Sequence, residues 1–396
     1  MNDLRINAVR LVNIGPYENT LVEFKPGLNL ICGGNGIGKT TVLEAVASPF
    51  GVFGAHTRLK RRALAEDAGR VVLNIFADGQ NRETDEFVQN FDPVSNDQLS
   101  GFQNFARYLI NIRTDRSFVY NKRNTIDADP VLDNYQIGNR VIGGLQALDI
   151  KPWFVNRYLL QHHAEEGGWT PSMKKNLELA KSWFSILDET VTLSGVHVKT
   201  FDIQVKTPSG KIPFEYLSAG FRSIYSLFLG ILKEIEFRSL DVSADEFSGT
   251  ILIDEIDLHL HPSWQTRVAG ALQKAFPAAQ IIATTHSPHV IQAAGVSEVI
   301  ALAREPGKDV HVRDIPPNEF GFAGWSIEEI LEDVMGMKTV RSPLYEEAER
   351  LFDKAIDAED GKQAQIQLGR LQKMLHPSSH IKTLLELRAA PIIGVN

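Results

Sequence analysis

Gly33 to Thr40 reads GGNGIGKT and fits the phosphate-binding pattern G-x-x-x-x-G-K-[ST]. Gly33, Gly34, Asn35, Gly36, Ile37 and Gly38 form a loop whose glycines let the backbone curl round an anion, N–H groups inward. The cradle continues through Lys39, Thr40 and Thr41 into a helix, whose positive dipole end faces the same anion. Lys39 can reach the β- and γ-phosphates as a point charge, and the Thr40 hydroxyl can bind Mg²⁺. The chemistry implied is binding of a nucleoside triphosphate with Mg²⁺.

A second set lies far downstream. Gly249 to Glu255 (GTILIDE) is an apolar strand ending in two acids, the Walker B pattern. A strand buried on both faces has no use for carboxylates at its tip unless a cation or a reacting group waits there. Asp254 suits Mg²⁺, and Glu255 suits the base that orients and deprotonates an attacking water. Leu217-Ser218-Ala219-Gly220 opens a helix, placing a serine hydroxyl and the Gly220 N–H at its positive end. Thr284-Thr285-His286-Ser287 ends the next strand.

The elements that position these groups read as follows. Residues 4–12 and 20–25 alternate apolar and polar, with a Gly15-Pro16 turn between them. Leu28 to Cys32 is a continuous apolar run suited to a central strand, and the helix after the loop ends before Pro49. Arg70 to Ala77 is strand-like, and DGQNRE offers a turn before a second strand ending near Gln89. From about Asn96 to Val191 helical spacing and aromatic anchors take over, a helical lobe inserted in the strand-rich domain. Alternation returns at Val196–Val205 and Lys211–Tyr216, with Pro208-Ser209-Gly210 as a turn. Beyond Ser218 a helix, the GTILIDE strand, a second helix and the strand QIIATTHS follow; after Gly321 the chain reads as amphipathic helices. The expected segments are 1–95, 96–194, 195–320 and 321–396.

Composition sets the outer bounds. At 396 residues, 43% hydrophobic and 23% charged, the chain reads as globular and multi-domain. No apolar run approaches ~18 residues, so no membrane span is expected. The N-terminus lacks a signal peptide's apolar core, and Cys32 is the single cysteine, so a reducing cytoplasm is expected. A net charge of −8 argues against a generally basic nucleic-acid coat. Arg58 to Arg62 (RLKRR) is a local basic cluster, read as a solvated helix face or a nucleic-acid contact.

LSAGFRS resembles the LSGGQ signature of ABC-type ATPases, with Phe221-Arg222 replacing the usual last residues. P-loop, LSAG, ILIDEIDLHLHP and TTHSP in this order resemble the ABC-class ATPases of the SMC/RecF/OLD kind. NIGPYENTLVEF resembles the start of such heads. GWSIEEILEDVMG before a short helical tail is similar to the ending of compact bacterial "predicted ATP-binding proteins involved in virulence" and of Septu- and retron-type phage-defence ATPases. The likeness is clear at both ends and vague between about 50 and 195.

That resemblance implies an α/β fold: a P-loop ABC-type ATPase head with an inserted helical lobe and a C-terminal helical extension. It implies ATP and Mg²⁺ as ligands, and a homodimer or higher oligomer in which Ser218 and Gly220 of one subunit close on the nucleotide of the other. His286 becomes the switch histidine for the γ-phosphate, Asp257 to Pro262 the D-loop, and Gln89 the Mg²⁺-sensing Q-loop candidate. No long heptad run separates the halves, unlike SMC proteins, and no Toprim acidic set follows, unlike OLD nucleases. Three outputs compete: regulation of a separate nuclease or toxin in phage defence, RecF-like action on DNA, or service as a transporter's nucleotide-binding subunit. The DLHLHP segment and the RecF-like N-terminus count against the last.

Other clusters invite metal. His259 and His261 beside Asp257 have no third ligand in reach of sequence reasoning, and His162, His163, Glu165 and Glu166 show no convergent helical spacing. Asp127 and Asp129 read as solvated loop acids.

Overall fold

The computed structural model describes residues 3–92, 97–116, 120, 122–123, 125–145, 147–186, 188–305, 307, 309–316, 319–337 and 341–394. They fall into two units, 1–336 and 337–396.

The chain opens with β1 (Leu4–Ile14) and β2 (Tyr17–Glu23), an antiparallel pair turning at Gly15-Pro16. Next come β3 (Leu28–Gly33), α1 (Lys39–Ala47), and the hairpin of β4 (Gly69–Ala77) and β5 (Gln80–Val88). Asp78 and Gly79 both take positive φ, 52° and 74°, at that two-residue turn, as the right-handed twist of a hairpin favours. These outer strands form one antiparallel sheet, β2-β1-β4-β5. β4 buries every second residue, so one face covers the core and the other faces water.

β6 (Leu109–Ile112) is followed by α2 (Asn134–Gly143), α3 (Ile150–Leu160) and α4 (Pro171–Ser182). A small antiparallel sheet comes next: β7 (Thr192–His197), β8 (Asp202–Thr207) and β9 (Gly210–Pro213). α5 (Ala219–Phe237) is the longest helix of the described residues and is buried along most of its length. The remainder of the head is β10 (Thr250–Ile253), α6 (Pro262–Ala275), β11 (Gln280–Thr284), α7 (Pro288–Gln292), β12 (Val299–Ala303), β13 (His311–Arg313) and the short α8 (Ile327–Glu329), which runs into a π-helical turn.

The main sheet has the order β13-β12-β3-β11-β10-β6, parallel except for β13. β3 sits between β11 and β12 and all six of its residues are buried, as a strand covered on both faces requires. Gln280 fastens the outer sheet to this one: its side chain accepts from the Ile6 amide at 2.7 Å and donates to the Ile6 carbonyl at 2.8 Å. The core runs through both sheets, α1, α3 and α5.

The second unit carries α9 (Pro343–Asp357), α10 (Gly361–Met374) and α11 (Ile381–Ile393), with their own core of Tyr345, Ala348, Phe352, Leu371, Leu385 and Ala389. Ser342 and Asp360 cap α9 and α10.

Several boundaries differ from the sequence reading. Asn96, the expected start of the helical lobe, lies outside the described residues. Within 97–194, Leu109–Ile112 is not helical but pairs in parallel with β10 as the edge strand of the main sheet. Four residues are too few to show a period. Phe322, Ile330, Val334 and Met335 join the core of the first unit, so the chain divides after Gly336 and not at 321. Arg58 to Arg62 is no helix face: it runs irregularly, with one bridge from Arg61 to Ile14. Lys60 Nζ donates to the Asp92 carbonyl, and Arg62 pairs with Glu18 and Asp309 at 3.2 and 3.4 Å.

Candidate active site

The loop after β3 requires glycine at two points. Gly33 has φ 140°, and a Cβ there would come within 2.4 Å of the Leu302 carbonyl oxygen. Gly38 has φ 104°, and its Cβ would strike Pro16 and Tyr17 at 2.6 and 2.7 Å. The β1–β2 turn therefore lies against the base of the loop, where the Tyr17 hydroxyl donates to the Gly38 carbonyl at 3.0 Å. Lys39 Nζ donates to the carbonyls of Gly33 and Gly34 at 2.9 and 3.0 Å, so the ammonium sits inside the curl of the loop. Burial pulls its pKa down, while Asp254, Glu255 and Asp257 oppose that shift.

β10 ends beside this loop. Asp254 accepts from the Thr40 hydroxyl and, at 2.7 Å, from the Thr284 hydroxyl. A hydroxyl and a carboxylate held together at the foot of a phosphate loop form an oxygen donor set that suits Mg²⁺. Glu255 takes a left-handed backbone, φ 51°, uncommon for a residue with a side chain. Its N–H donates to Thr284 Oγ1 at 2.7 Å, and the Ile256 N–H donates to the Thr284 carbonyl at 2.9 Å. Thr284 thus positions both acids.

Asp257 ties the next strand end to the same place, accepting from Thr285 Oγ1 at 2.6 Å and from the His286 N–H at 3.2 Å. Ser287 Oγ caps α7, so the His286 backbone is fixed on both sides.

Ser218 stands at the N-cap of α5, exposed, with no side-chain bond into its own helix. An exposed hydroxyl at a helix N-terminus is chemistry that suits an anion. Gly220 lets α5 approach the loop before α6: a Cβ would meet the His259 carbonyl oxygen at 3.0 Å and the Trp264 ring at 3.2 Å. Ser223 Oγ donates to the Leu258 carbonyl at 2.9 Å, and Phe221 meets the edge of Trp264 with ring centroids 4.4 Å apart. Ser223 therefore joins α5 to the segment Asp257 to Pro262, and the unusual phenylalanine of LSAGFRS packs α5 against α6.

Gln89 is not brought to this cluster. It follows β5 in the outer sheet, where its N–H donates to Asp97 Oδ2 at 3.0 Å. Among the described residues no hydrogen bond joins it to Thr40 or Asp254. On the side opposite Thr284, Arg116, just past β6, reaches the end of β10. Sequence reasoning missed it because β6 was unrecognised. His261 caps α6 through Nδ1, and His163 pairs with Glu166 at 3.2 Å. No group of three or more metal-ligating side chains converges among the described residues. Asp127 and Asp129 are partnered, by Arg123 and by Arg157 with Asn156.

The glycine loop after β3, the acid pair after β10 and the histidine after β11, on a sheet parallel but for β13, with Ser218 at the N-terminus of α5, fit the fold, which is that of an ABC-type P-loop ATPase head. The chain is 39% identical over 394 residues to the Septu protein PtuA of Bacillus thuringiensis, covering 98% of each. It belongs to the PtuA family. It is also 30% identical over 176 residues to a retron Vc95 probable ATPase of Vibrio cholerae serotype O1 biovar El Tor, 44% of this chain and 32% of that one. The family described as "AAA domain" matches residues 8–146, and "AAA domain, putative AbiEii toxin, Type IV TA system" matches 184–292. Among solved structures, the SMC head domain from Thermotoga maritima aligns with a TM-score of 0.42 at 14% identity, covering 78% of this chain and 99% of that one. No helix of the described residues is long and apolar enough to cross a membrane.

Proposed function

We propose that this ATPase is a nucleotide-driven switch in anti-phage defence. Two protomers join head-to-tail and enclose two ATP molecules between the P-loop of one and Ser218 of the other. The state of that dimer then regulates a separate effector, a nuclease or a toxin. The observation that carries the composite site is Ser218: an exposed hydroxyl at the N-terminus of a buried helix, unspent on its own cap. Membership of the PtuA family supports the defence role.

Within each site Lys39 and the loop N–H groups hold the β- and γ-phosphates. Thr40 and Asp254 hold Mg²⁺, which when bound neutralises charge on the same oxygens. Glu255 accepts a proton from the attacking water, and His286 donates to the γ-phosphate. Ser218 and Gly220 of the second protomer complete the shell, so ATP is what favours the closed dimer over separate heads. The engagement of Lys60 and Arg62 with Asp92, Glu18 and Asp309 weakens the reading of a direct DNA-acting enzyme.

Light scattering of the Glu255→Gln variant tests this reading. Saturating Mg·ATP should convert it from a lower to a higher assembly state, and ADP should not. A variant that stays in one state with either nucleotide would overturn the switch.

A further inference from the structure

Arg116 is buried, and it lies where the sequence offers no motif. It follows β6, the strand parallel to β10, and the two strands stay in register to Ile112 and Ile253. The Asp254 N–H extends the ladder by one bond to the Ile112 carbonyl at 2.8 Å. There the sheet stops, and the carbonyls of Asp254 and Glu255 lose their strand partner on the β6 side. Arg116 Nη2 takes both: it donates to the Asp254 carbonyl and, at 2.7 Å, to the Glu255 carbonyl. Its Nε donates to the Arg113 carbonyl at 3.1 Å, which fixes the guanidinium plane.

We propose that Arg116 is the positioning residue for the catalytic carboxylate, holding Glu255 in its left-handed backbone so that the side chain is aimed at the reacting water. This rests on the assignment of Glu255 as the base.

The geometry isolates the function. Glu255 sits at φ 51°, which a glutamate leaves readily unless its flanking peptides are held. Thr284 Oγ1 takes the Glu255 N–H from one side, and Leu258 N donates to the Glu255 carbonyl at 3.0 Å. Arg116 supplies the hold from the other side, on the two successive carbonyls that bracket the strained residue. One planar guanidinium nitrogen meets both; an ammonium has a different reach and geometry. Burial lowers the Arg116 pKa to about 10 against the pull of Asp254, Asp257 and Glu255, so it stays charged at neutral pH. The Ser226 hydroxyl of α5 also points to the Arg116 carbonyl, at 3.5 Å. The helix capped by Ser218 is thereby linked to the proposed base.

The full chain tests this through Arg116→Ala and Arg116→Lys, with Glu255→Gln alongside. Arg116→Ala should lower kcat by ~100-fold, the cost of misplacing a catalytic group by about 1 Å. Affinity for a fluorescent ATP analogue should stay within ~2-fold, since the P-loop is untouched. Millimolar guanidinium, and not equal sodium chloride, should recover kcat by at least ~10-fold by refilling the site. Should Arg116→Ala fail to fold, Arg116→Lys carries the test, with kcat expected ~10-fold down at unchanged ATP affinity. Wild-type kcat in the folded variant overturns the proposal, as does a loss shared equally by ATP affinity and deaf to guanidinium. If Glu255→Gln is inactive while the Arg116 variants turn over normally, only the positioning role falls. If Glu255→Gln itself turns over normally, the base assignment falls first.

Discussion

Thr40 and Asp254 are 214 residues apart, yet the threonine hydroxyl lies 3.1 and 3.2 Å from the two carboxylate oxygens. One residue lies in the first turn of α1 and the other directly follows β10, and the sheet order that separates β3 from β10 by a single strand brings them together. Asp254→Asn keeps the shape and removes the charge that a divalent cation needs. The expected result is a ~10-fold or larger rise in the Mg²⁺ needed for half-maximal turnover, with ATP binding in EDTA unchanged. A magnesium titration of steady-state turnover checks this; an unshifted titration would sink the Asp254 assignment.

Glu255→Gln removes the proposed base and leaves the phosphate cradle intact. Turnover should fall by ~10²–10⁴-fold while ATP affinity is preserved. Single-turnover hydrolysis is the measurement, because it separates chemistry from product release.

A composite site can be rebuilt from two broken halves. Lys39→Ala spoils the P-loop, and Ser218→Arg blocks the signature with a bulky side chain. Each alone should be nearly inactive. A mixture forms heterodimers with one undamaged site, so its turnover should exceed the sum of the separate variants. Additive residual rates across all mixing ratios would mean that each chain hydrolyses ATP by itself.

The buried end of α5 makes a different forecast. Glu234 is encircled by Lys233 at 3.0 Å, Arg140 at 2.7 Å and Arg238 at 3.3 Å. Burial pushes its carboxyl up, but the three cations outweigh burial and hold it down at about 2, below the ordinary 4.5. A depressed carboxylate contributes stability above its unfolded value, and that contribution is lost as pH falls toward the folded value. Wild-type stability should therefore decline between pH 4.5 and about 2. Glu234→Gln should cost about 3–5 kcal/mol at pH 7 by leaving buried cations short of a partner. Its stability should also depend less on pH across that window. Urea unfolding at several pH values decides; equal slopes for both proteins would show that Glu234 is not the coupled group.

The glycine loop, the paired acids and LSAG stand out in the sequence because each proposed chemistry demands particular residue types at fixed local spacing. Gly33 and Gly38 have to be glycine where the backbone turns to positive φ against Leu302 and Tyr17, and that demand is written in the sequence itself. The buried strands β3, β10 and β11 were legible for a related reason: strands covered on both faces read as unbroken apolar runs.

What the sequence by itself determined, then, is the list of candidate groups and the α/β elements beside them. What only the tertiary structure decided is which distant groups meet. β6 is four residues long and carries no period, so its place beside β10, and Arg116 with it, emerges only when the sheet is assembled. Gln89 looked suitable by residue type, but the hairpin it follows belongs to the other sheet. Arg62, in the basic run from Arg58, looked free by charge, but its partners Glu18 and Asp309 come from opposite ends of the head. Local chemistry is set by neighbours in sequence; pairing between strands, and every bond that depends on it, is set by neighbours in space.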